Sequence, residues 1–211
     1  GVSLELLALV GIIGRFEVFN TTDQAILSFM QLLDGEAFEA VDQNLNVLLF
    51  AFQDFNNFQS VLKKQYKLQD SAALKNYENR IEQIRNLLNI DVEKYLTSWI
   101  GKEIALLKLQ PDQKTKIKNA VLCFQAQDIT EAKNKLGKLN SEVRNKLPAG
   151  FDSKEYHGYS VHYLNINGLF RFLFSDLLSR IEKPYYTFIG DYVVFSNNLS
   201  DIYQMIDSHI I

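Results

Sequence analysis

The 211-residue chain has few of the residues that staple small domains or hold metal ions. A single cysteine, Cys123, excludes a disulfide framework, so cysteine usage says nothing about the compartment. Only three histidines are present, and a zinc site would need further Cys, His or carboxylate ligands at defined spacings. The longest apolar run, 6–14, covers nine residues, whereas a membrane-spanning helix needs about 20.

The motifs of several common enzyme chemistries are also missing. The glycines of 11–14 are not followed by the Lys-Ser/Thr pair of a phosphate-binding loop, and no Gly-x-Ser-x-Gly elbow occurs. His157 and His162 are five residues apart in a predicted strand, which places them on opposite faces where they cannot bind one ion. Ser160 shares a face with His162, but neighbouring polar residues are far more common than a nucleophile with its base. We predict no catalytic, cofactor-binding or metal-ligating residue and no cofactor.

Aromatic residues are abundant by contrast, with 15 Phe and 10 Tyr against one Trp. Phe and Tyr favour half-buried strands, so we expect substantial sheet. Hydrophobic residues make up 47% of the chain and charged residues 22%, which is typical of a folded protein and excludes a disordered one. The formal net charge of −3 argues against a nucleic-acid partner, because such binding needs a basic surface.

The charge is unevenly distributed along the chain. Residues 1–60 carry eight acids and one base, a net of −7, whereas residues 108–146 carry nine bases and four acids, a net of +5. Two solvated faces of opposite sign are the favoured interpretation. A site on the basic stretch for an anionic surface is the alternative, although the stretch lacks the interleaved aromatic residues that stack on bases.

The periodicity of apolar residues predicts seven helices and seven strands. The predicted helices cover 23–33, 55–66, 72–88, 91–97, 129–147, 168–179 and 199–209. The predicted strands cover 4–19, 47–52, 103–109, 120–126, 156–166, 185–189 and 192–195. The first is broken by Gly11 and Gly14, and its part 15–19 alternates polar and apolar residues. Gly190-Asp191 joins the last two strands as a tight hairpin, since glycine supplies the positive φ that such a turn needs.

The strands cluster in pairs, which predicts an α+β fold with mixed or antiparallel sheets and packed helices. Segment 47–54 aligns with 121–128, and 16–19 aligns with 192–195, so the fold is expected to be built from recurring strand–cap–helix units. We predict a single compact unit over 1–211, with 1–90 and 91–211 as alternative halves.

Three further features have both a structural and a functional interpretation. Cys123 lies within an apolar strand and is expected to be a buried, inert thiol. The acidic segment 34–42 holds carboxylate pairs that could act as acid and base, although such loops are usually just solvated. Tyr159 and Tyr163 share a strand face that either packs against a helix or binds sugar or peptide.

Three pieces of the C-terminal part resemble one bacterial family. The residues that carry the resemblance are Asn89–Asp91 with Trp99–Glu103, Tyr156–Tyr159 with Tyr163–Ile166, and Glu182–Tyr186 with Asp191–Asn197. The family is the one described as domain of unknown function 3352. The resemblance implies an envelope protein whose membrane anchor or lipoprotein signal precedes a large exported region, and it implies no catalytic residue.

These observations favour a non-enzymatic, extracytoplasmic binding or structural module. Gly1 indicates the remnant of a removed tag, so the chain is expected to be a fragment whose anchor lies outside it. The expected partner is a protein or a small molecule, with the membrane nearby. The alternative is a hydrolase or transferase that uses the carboxylates of 34–42.

Overall fold

The computed structural model describes residues 15–18, 47–51, 60, 64, 67, 71–109, 119–146, 153–166, 170, 181–182 and 184–210. Eight strands lie in one sheet. They are β1 Arg15–Val18, β2 Val47–Ala51, β3 Ile100–Leu109, β4 Asn119–Ala126, β5 Ser153–Tyr156, β6 Tyr159–Tyr163, β7 Tyr185–Ile189 and β8 Tyr192–Ser196. Four helices have described boundaries: α1 Ser71–Leu88, α2 Val92–Thr97, α3 Ile129–Lys146 and α4 Leu199–Ile210.

The strand order across the sheet is β1-β2-β3-β4-β8-β7-β6-β5. β1 and β2 pair in parallel, and every other neighbouring pair in this order is antiparallel. The architecture is therefore α+β with a mixed sheet, as the clustering of strands predicts.

The central strands β4 and β8 are buried on both faces of the sheet. All five residues of β8 are buried, as are Val121–Phe124 of β4. A strand covered on both faces reads as a nearly continuous apolar run because no side chain along it faces water. The runs 121–124 and 192–195 have this character.

Three helices cover one face of the sheet, which we call the α3 face. α1, α2 and α3 contact one another, and their apolar side chains join the strand residues Leu122, Phe124, Val193 and Phe195 in one cluster. Phe124 is the aromatic centre of this cluster. Its ring lies 6.1 Å from Trp99, 6.0 Å from Phe170 and 5.9 Å from Phe195, centroid to centroid.

The opposite face, which we call the α4 face, is covered by α4 in the described part of the chain. Ile202, Met205 and Ile206 of α4 pack on the alternate residues of β4 and β8. Cys123 is fully buried in this layer, and burial raises the pKa of its thiol. The prediction of a buried thiol is confirmed.

The predicted strand 156–166 is wrong as a single element. The structure contains two strands here, β5 and β6, joined by a tight turn at His157-Gly158. Both turn residues have positive φ, 49° at His157 and 82° at Gly158. His157 therefore lies in a turn, and His162 lies in β6. The prediction that they occupy opposite faces of one strand is wrong.

The other predicted elements agree with the structure within a few residues where they can be compared. β3 begins at Ile100, three residues before the predicted start. Gln127 holds this early part of the strand, because its Nε2 donates to the Ile100 carbonyl and its backbone N–H donates to the Trp99 carbonyl. The Gly190-Asp191 hairpin is confirmed, with φ of 55° at Gly190. The helices predicted over 23–33, 55–66 and 168–179 lie outside the described residues, apart from isolated helical positions.

Asp128 begins α3 in the way that its sequence context predicts. Its Oδ1 accepts hydrogen bonds from the backbone N–H groups of Thr130, at 2.8 Å, and Glu131, at 3.2 Å. Such a side chain satisfies helix N–H groups that have no partner within the helix.

We expect Asp128→Ala to lower the free energy of unfolding by about 1 kcal/mol, because two N–H groups lose their acceptor. Asp128→Asn keeps an acceptor oxygen and should retain most of the stability. Urea unfolding of the three proteins measures both values. Equal losses in the two variants would show that charge, rather than capping, stabilises this end of α3.

The start of α4 holds a buried carboxylate. Asp201 is 1% exposed, and its Oδ2 accepts hydrogen bonds from Ser196 Oγ, at 2.7 Å, and Asn198 Nδ2, at 3.1 Å. Burial raises the pKa of Asp201, although hydrogen bonds from Ser196, Asn198 and Ser200 act in the opposite direction. A raised pKa means that the folded protein holds this proton more tightly than the unfolded chain.

Asp201 should therefore stabilise the fold more at acid pH than at neutral pH. Its contribution is fully present below the pKa of the unfolded chain and is lost as the pH rises through the higher pKa of the folded state. We therefore expect the wild type to lose stability relative to Asp201→Asn as the pH rises from about 3 to about 7. Urea unfolding across this range measures it, and a shift in favour of the wild type would contradict the assignment.

Candidate functional site

Helix α3 carries two stripes of different chemistry. The stripe of Ala132, Leu136, Leu139 and Val143 is buried against the sheet. The residues that directly follow these four positions form a second stripe, which consists of Lys133, Gly137, Asn140 and Arg144. A step of one residue turns about 100° around a helix, so the second stripe lies at the edge of the helix footprint rather than beneath it.

The strands β6 and β7 face this second stripe. In the register of the sheet His162 lies opposite Tyr186, and the two rings stack with centroids 5.0 Å apart. Two residues further along β7, the Phe188 ring lies 5.6 Å from Lys133 Nζ of α3. These contacts place the C-terminal half of the sheet close to the polar side of α3.

A groove of about 760 Å³ lies between the helix and these strands. Its volume falls within the range of small-ligand sites, roughly 300–1,000 Å³. The helix lines it with Lys133, Gly137, Asn140, Ser141 and Arg144, and the strands and their turns line it with Ser153, Gly158, Tyr159, Ser160, His162, Tyr186, Thr187, Phe188 and Gly190. We call it the α3 groove.

Asn140 is the most unusual residue of the α3 groove. It is 6% exposed, and its Oδ1 has no hydrogen-bond partner among the described residues. A buried polar atom without a partner costs about 1–3 kcal/mol, and such atoms are few in folded proteins. The oxygen itself has almost no accessible surface, so it belongs to the packed wall of the groove rather than to its open space.

The cations of α3 divide between two environments. Lys135 Nζ contacts Glu131 Oε1 at 2.7 Å and Ser98 Oγ at 2.5 Å, and Lys138 Nζ lies 5.5 Å from the Tyr95 ring centre. Lys133 and Arg144 instead line the α3 groove, and its described lining residues include no carboxylate. Part of the basic stretch 108–146 therefore lines the groove, and the Glu155 carboxylate lies beside it on β5, where it accepts a hydrogen bond from Ser160.

Ser160 and His162 both line the groove, as their shared strand face predicts. Ser160 Oγ donates a hydrogen bond to Glu155 Oε1, its cross-strand neighbour on β5. The hydroxyl proton is therefore directed to a carboxylate on the adjacent strand. This geometry supports the interpretation of Ser160 as an ordinary polar residue.

The tyrosines of the α4 face pack against the helix. Tyr156 stacks on Tyr203 with ring centres 3.9 Å apart, and its hydroxyl donates to Asp207 Oδ2 at 3.1 Å. Desolvation and this hydrogen bond raise the pKa of Tyr156. Tyr159 joins the same apolar cluster, which agrees with the packing interpretation of its strand face.

The remaining sequence-based candidates form no site in the described part of the chain. No group of three or more His, Cys, Asp or Glu side chains there could hold a metal ion, and no described helix is long and apolar enough to cross a membrane. Glu36, Glu39 and Asp42 lie outside the described residues, as do the other carboxylates of 34–42.

The chain matches no family model, no curated protein and no solved structure. The resemblance to domain of unknown function 3352 therefore stays a prediction. The geometry of the α3 groove is the observation on which a function can be argued.

No sequence motif marks Lys133, Asn140 or Arg144 as site residues. One signal was present: Gly137 lies in the middle of a helix, where glycine is unfavourable by about 1 kcal/mol relative to alanine. The structure gives Gly137 no packing role, because a Cβ built there meets nothing within 4 Å. The glycine leaves open space at the wall of the groove.

We expect Gly137→Ala to raise the free energy of unfolding by about 0.5–1 kcal/mol, because the methyl group meets no neighbour and the unfolded chain loses conformational freedom. Gly101→Ala is the contrasting variant. There a Cβ would lie 3.1 Å from the Gln125 carbonyl oxygen, so a loss of roughly 1–3 kcal/mol is expected. Chemical denaturation measures both, and a loss in Gly137→Ala would show that the space is needed for packing.

Proposed function

We propose that this chain is a non-enzymatic binding module of a bacterial envelope protein and that the α3 groove holds its ligand. The observation that carries the proposal is the α3 groove itself, a cavity of about 760 Å³ lined by polar, cationic and aromatic side chains of α3, β6 and β7. The extracytoplasmic location and an anchor outside the 211 residues rest on the family resemblance alone.

Two features of the groove favour binding over catalysis. Ser160 directs its hydroxyl to Glu155, so His162 is not positioned to take that proton. Burial raises the pKa of the Tyr186 phenol, so this hydroxyl keeps its proton and serves as a neutral hydrogen-bonding group. The groove thus offers hydrogen bonds, charge and aromatic surface, which are the means of recognition.

The proposal is tested by screening a library of small polar compounds against the isotope-labelled chain and following its backbone amide NMR shifts. We expect the compounds that bind to shift amides of α3, β6 and β7 around the α3 groove. Gly137→Leu places a branched side chain in the groove and should abolish these shifts. Asn145→Leu makes a similar change at an exposed position of α3 outside the groove lining and should leave them intact.

Binding that survives Gly137→Leu, or shifts that fall elsewhere on the molecule, would contradict the proposal. Chemical turnover of a bound compound would contradict its non-enzymatic part. The amide spectrum of each variant also shows whether the fold is intact.

A further inference from the structure

We infer that the ligand of the α3 groove is a free α-amino acid, held by its ammonium and its carboxylate at the same time. The inference rests on the proposed function, since it assigns a chemical class to the ligand of that same groove. Its basis is one row of side chains that crosses the groove from β5 to α3 and carries a negative charge at one end and a positive charge at the other.

The row follows from the register of β5, β6 and β7. Glu155 of β5 lies opposite Ser160 of β6, and its Oε1 accepts the Ser160 hydroxyl. His162 lies opposite Tyr186, so the same antiparallel register places Phe188 of β7 opposite Ser160. Residues directly opposite each other share a face of the sheet. Side chains of three adjacent strands therefore lie in one line, which spans roughly 10 Å because neighbouring strands are about 5 Å apart.

The row ends in opposite charges. The Glu155 carboxylate is at the β5 end, and Lys133 of α3 is at the other end, with its Nζ 5.6 Å from the centre of the Phe188 ring. Among the described residues no ion pair joins Lys133 to Glu155. Arg144 lies eleven residues further along α3 and has an interaction of its own. Because the two charges of the row compensate each other, it favours a zwitterion over an ion of one sign.

The spacing of the charges fits an α-amino acid. Its ammonium and carboxylate are bonded to the same carbon and lie roughly 3 Å apart. A hydrogen bond of about 2.8 Å on each side extends this span to roughly 9 Å, similar to the length of the row. The ammonium then donates to Glu155, and the carboxylate accepts from Lys133. A dipeptide is about 3.5 Å longer between its charges and fits this span less well.

The neighbouring row indicates which side chain the amino acid carries. There Ser153 lies opposite His162, whose ring stacks on Tyr186 with centroids 5.0 Å apart. Tyr186 is only 1% exposed, so the imidazole presents the larger ring surface to the groove. Gly137 leaves open space at the α3 wall. A planar side chain can lie on the imidazole, so we expect an aromatic amino acid to bind more tightly than glycine.

The test is a titration of the isotope-labelled chain with phenylalanine, phenylpropionate and phenylethylamine, followed by amide NMR shifts. All three carry the same ring, but phenylpropionate lacks the ammonium and phenylethylamine lacks the carboxylate. We expect saturable shifts around Gly137, Gly158 and Ser160 with phenylalanine, and at least about tenfold weaker binding of the other two probes. Either probe binding as tightly as phenylalanine would overturn the inference. Glycine binding as tightly as phenylalanine would overturn the aromatic side chain.

Charge variants show which end of the row binds which group. Glu155→Gln should weaken phenylalanine binding about tenfold and leave the weak binding of phenylpropionate unchanged, because that probe has no ammonium. Lys133→Gln should weaken phenylalanine binding by a similar factor and leave phenylethylamine unchanged, because that probe has no carboxylate.

Matched controls remove the same charges elsewhere. Glu78→Gln of α1 and Lys146→Gln of α3 are at exposed positions outside the groove lining, and both should leave phenylalanine binding unchanged. Controls as damaging as the groove variants would overturn the inference, as would a groove variant that affects all three probes equally. The amide spectrum of each variant shows whether the fold is intact.

The amino-acid inference and the proposed function fail in different ways. If screening compounds bind in the α3 groove while phenylalanine does not, the amino-acid inference is wrong and the binding module stands. If no compound binds there, both are wrong.

Discussion

The antiparallel pairing of β4 with β8 is the contact on which the rest of the structure depends. These strands occupy the fourth and fifth positions of the eight-stranded order, and Val121–Gln125 pairs with Tyr192–Ser196. Alternate side chains of both strands supply the two apolar clusters. A slip by one residue would exchange these two sets of side chains, so the register is strongly specified.

The same pairing determines where the helices lie. β4 ends at Ala126, which belongs to the cluster on the α3 face, and the chain then enters α3 on that face. β8 ends at Ser196, whose hydroxyl reaches the buried carboxylate of α4 on the other face. Because the strands are antiparallel, the helices start from opposite ends of the sheet. The polar stripe of α3 consequently meets β6 and β7, and the α3 groove forms there.

The helices and most strands could be predicted because their signals are local. The apolar stripe of α3, its Asp128 cap and the Gly190-Asp191 turn each lie within a short stretch of sequence. The turn at His157-Gly158 was missed because strand-forming residues lie on both sides of it, although the alternation shifts by one position between Tyr156 and Tyr159. Gly158 was the available signal, since it lies two residues after the end of β5 at Tyr156 and directly before the start of β6 at Tyr159.

The α3 groove could not be predicted, because its walls are distant in sequence. In the sequence Asn140 is an ordinary helix residue, and only the folded sheet brings Ser160 and His162 to the same groove. In the described part of the chain, by contrast, several aromatic residues have a packing role: Phe124, Phe170 and Phe195 form one connected group of rings. The basic stretch 108–146 is explained in part, since Lys133 and Arg144 line the groove and Lys135 and Lys138 bind α2.

The position of Cys123 makes its thiol a probe of how often α4 separates from the central strands. The thiol lies in the central strand, beneath α4, and its raised pKa leaves little thiolate in the folded protein. A thiol reagent therefore reacts at an appreciable rate only when α4 separates from β4 or the whole fold opens. The rate of modification of this single thiol measures how often the central pair of strands is uncovered.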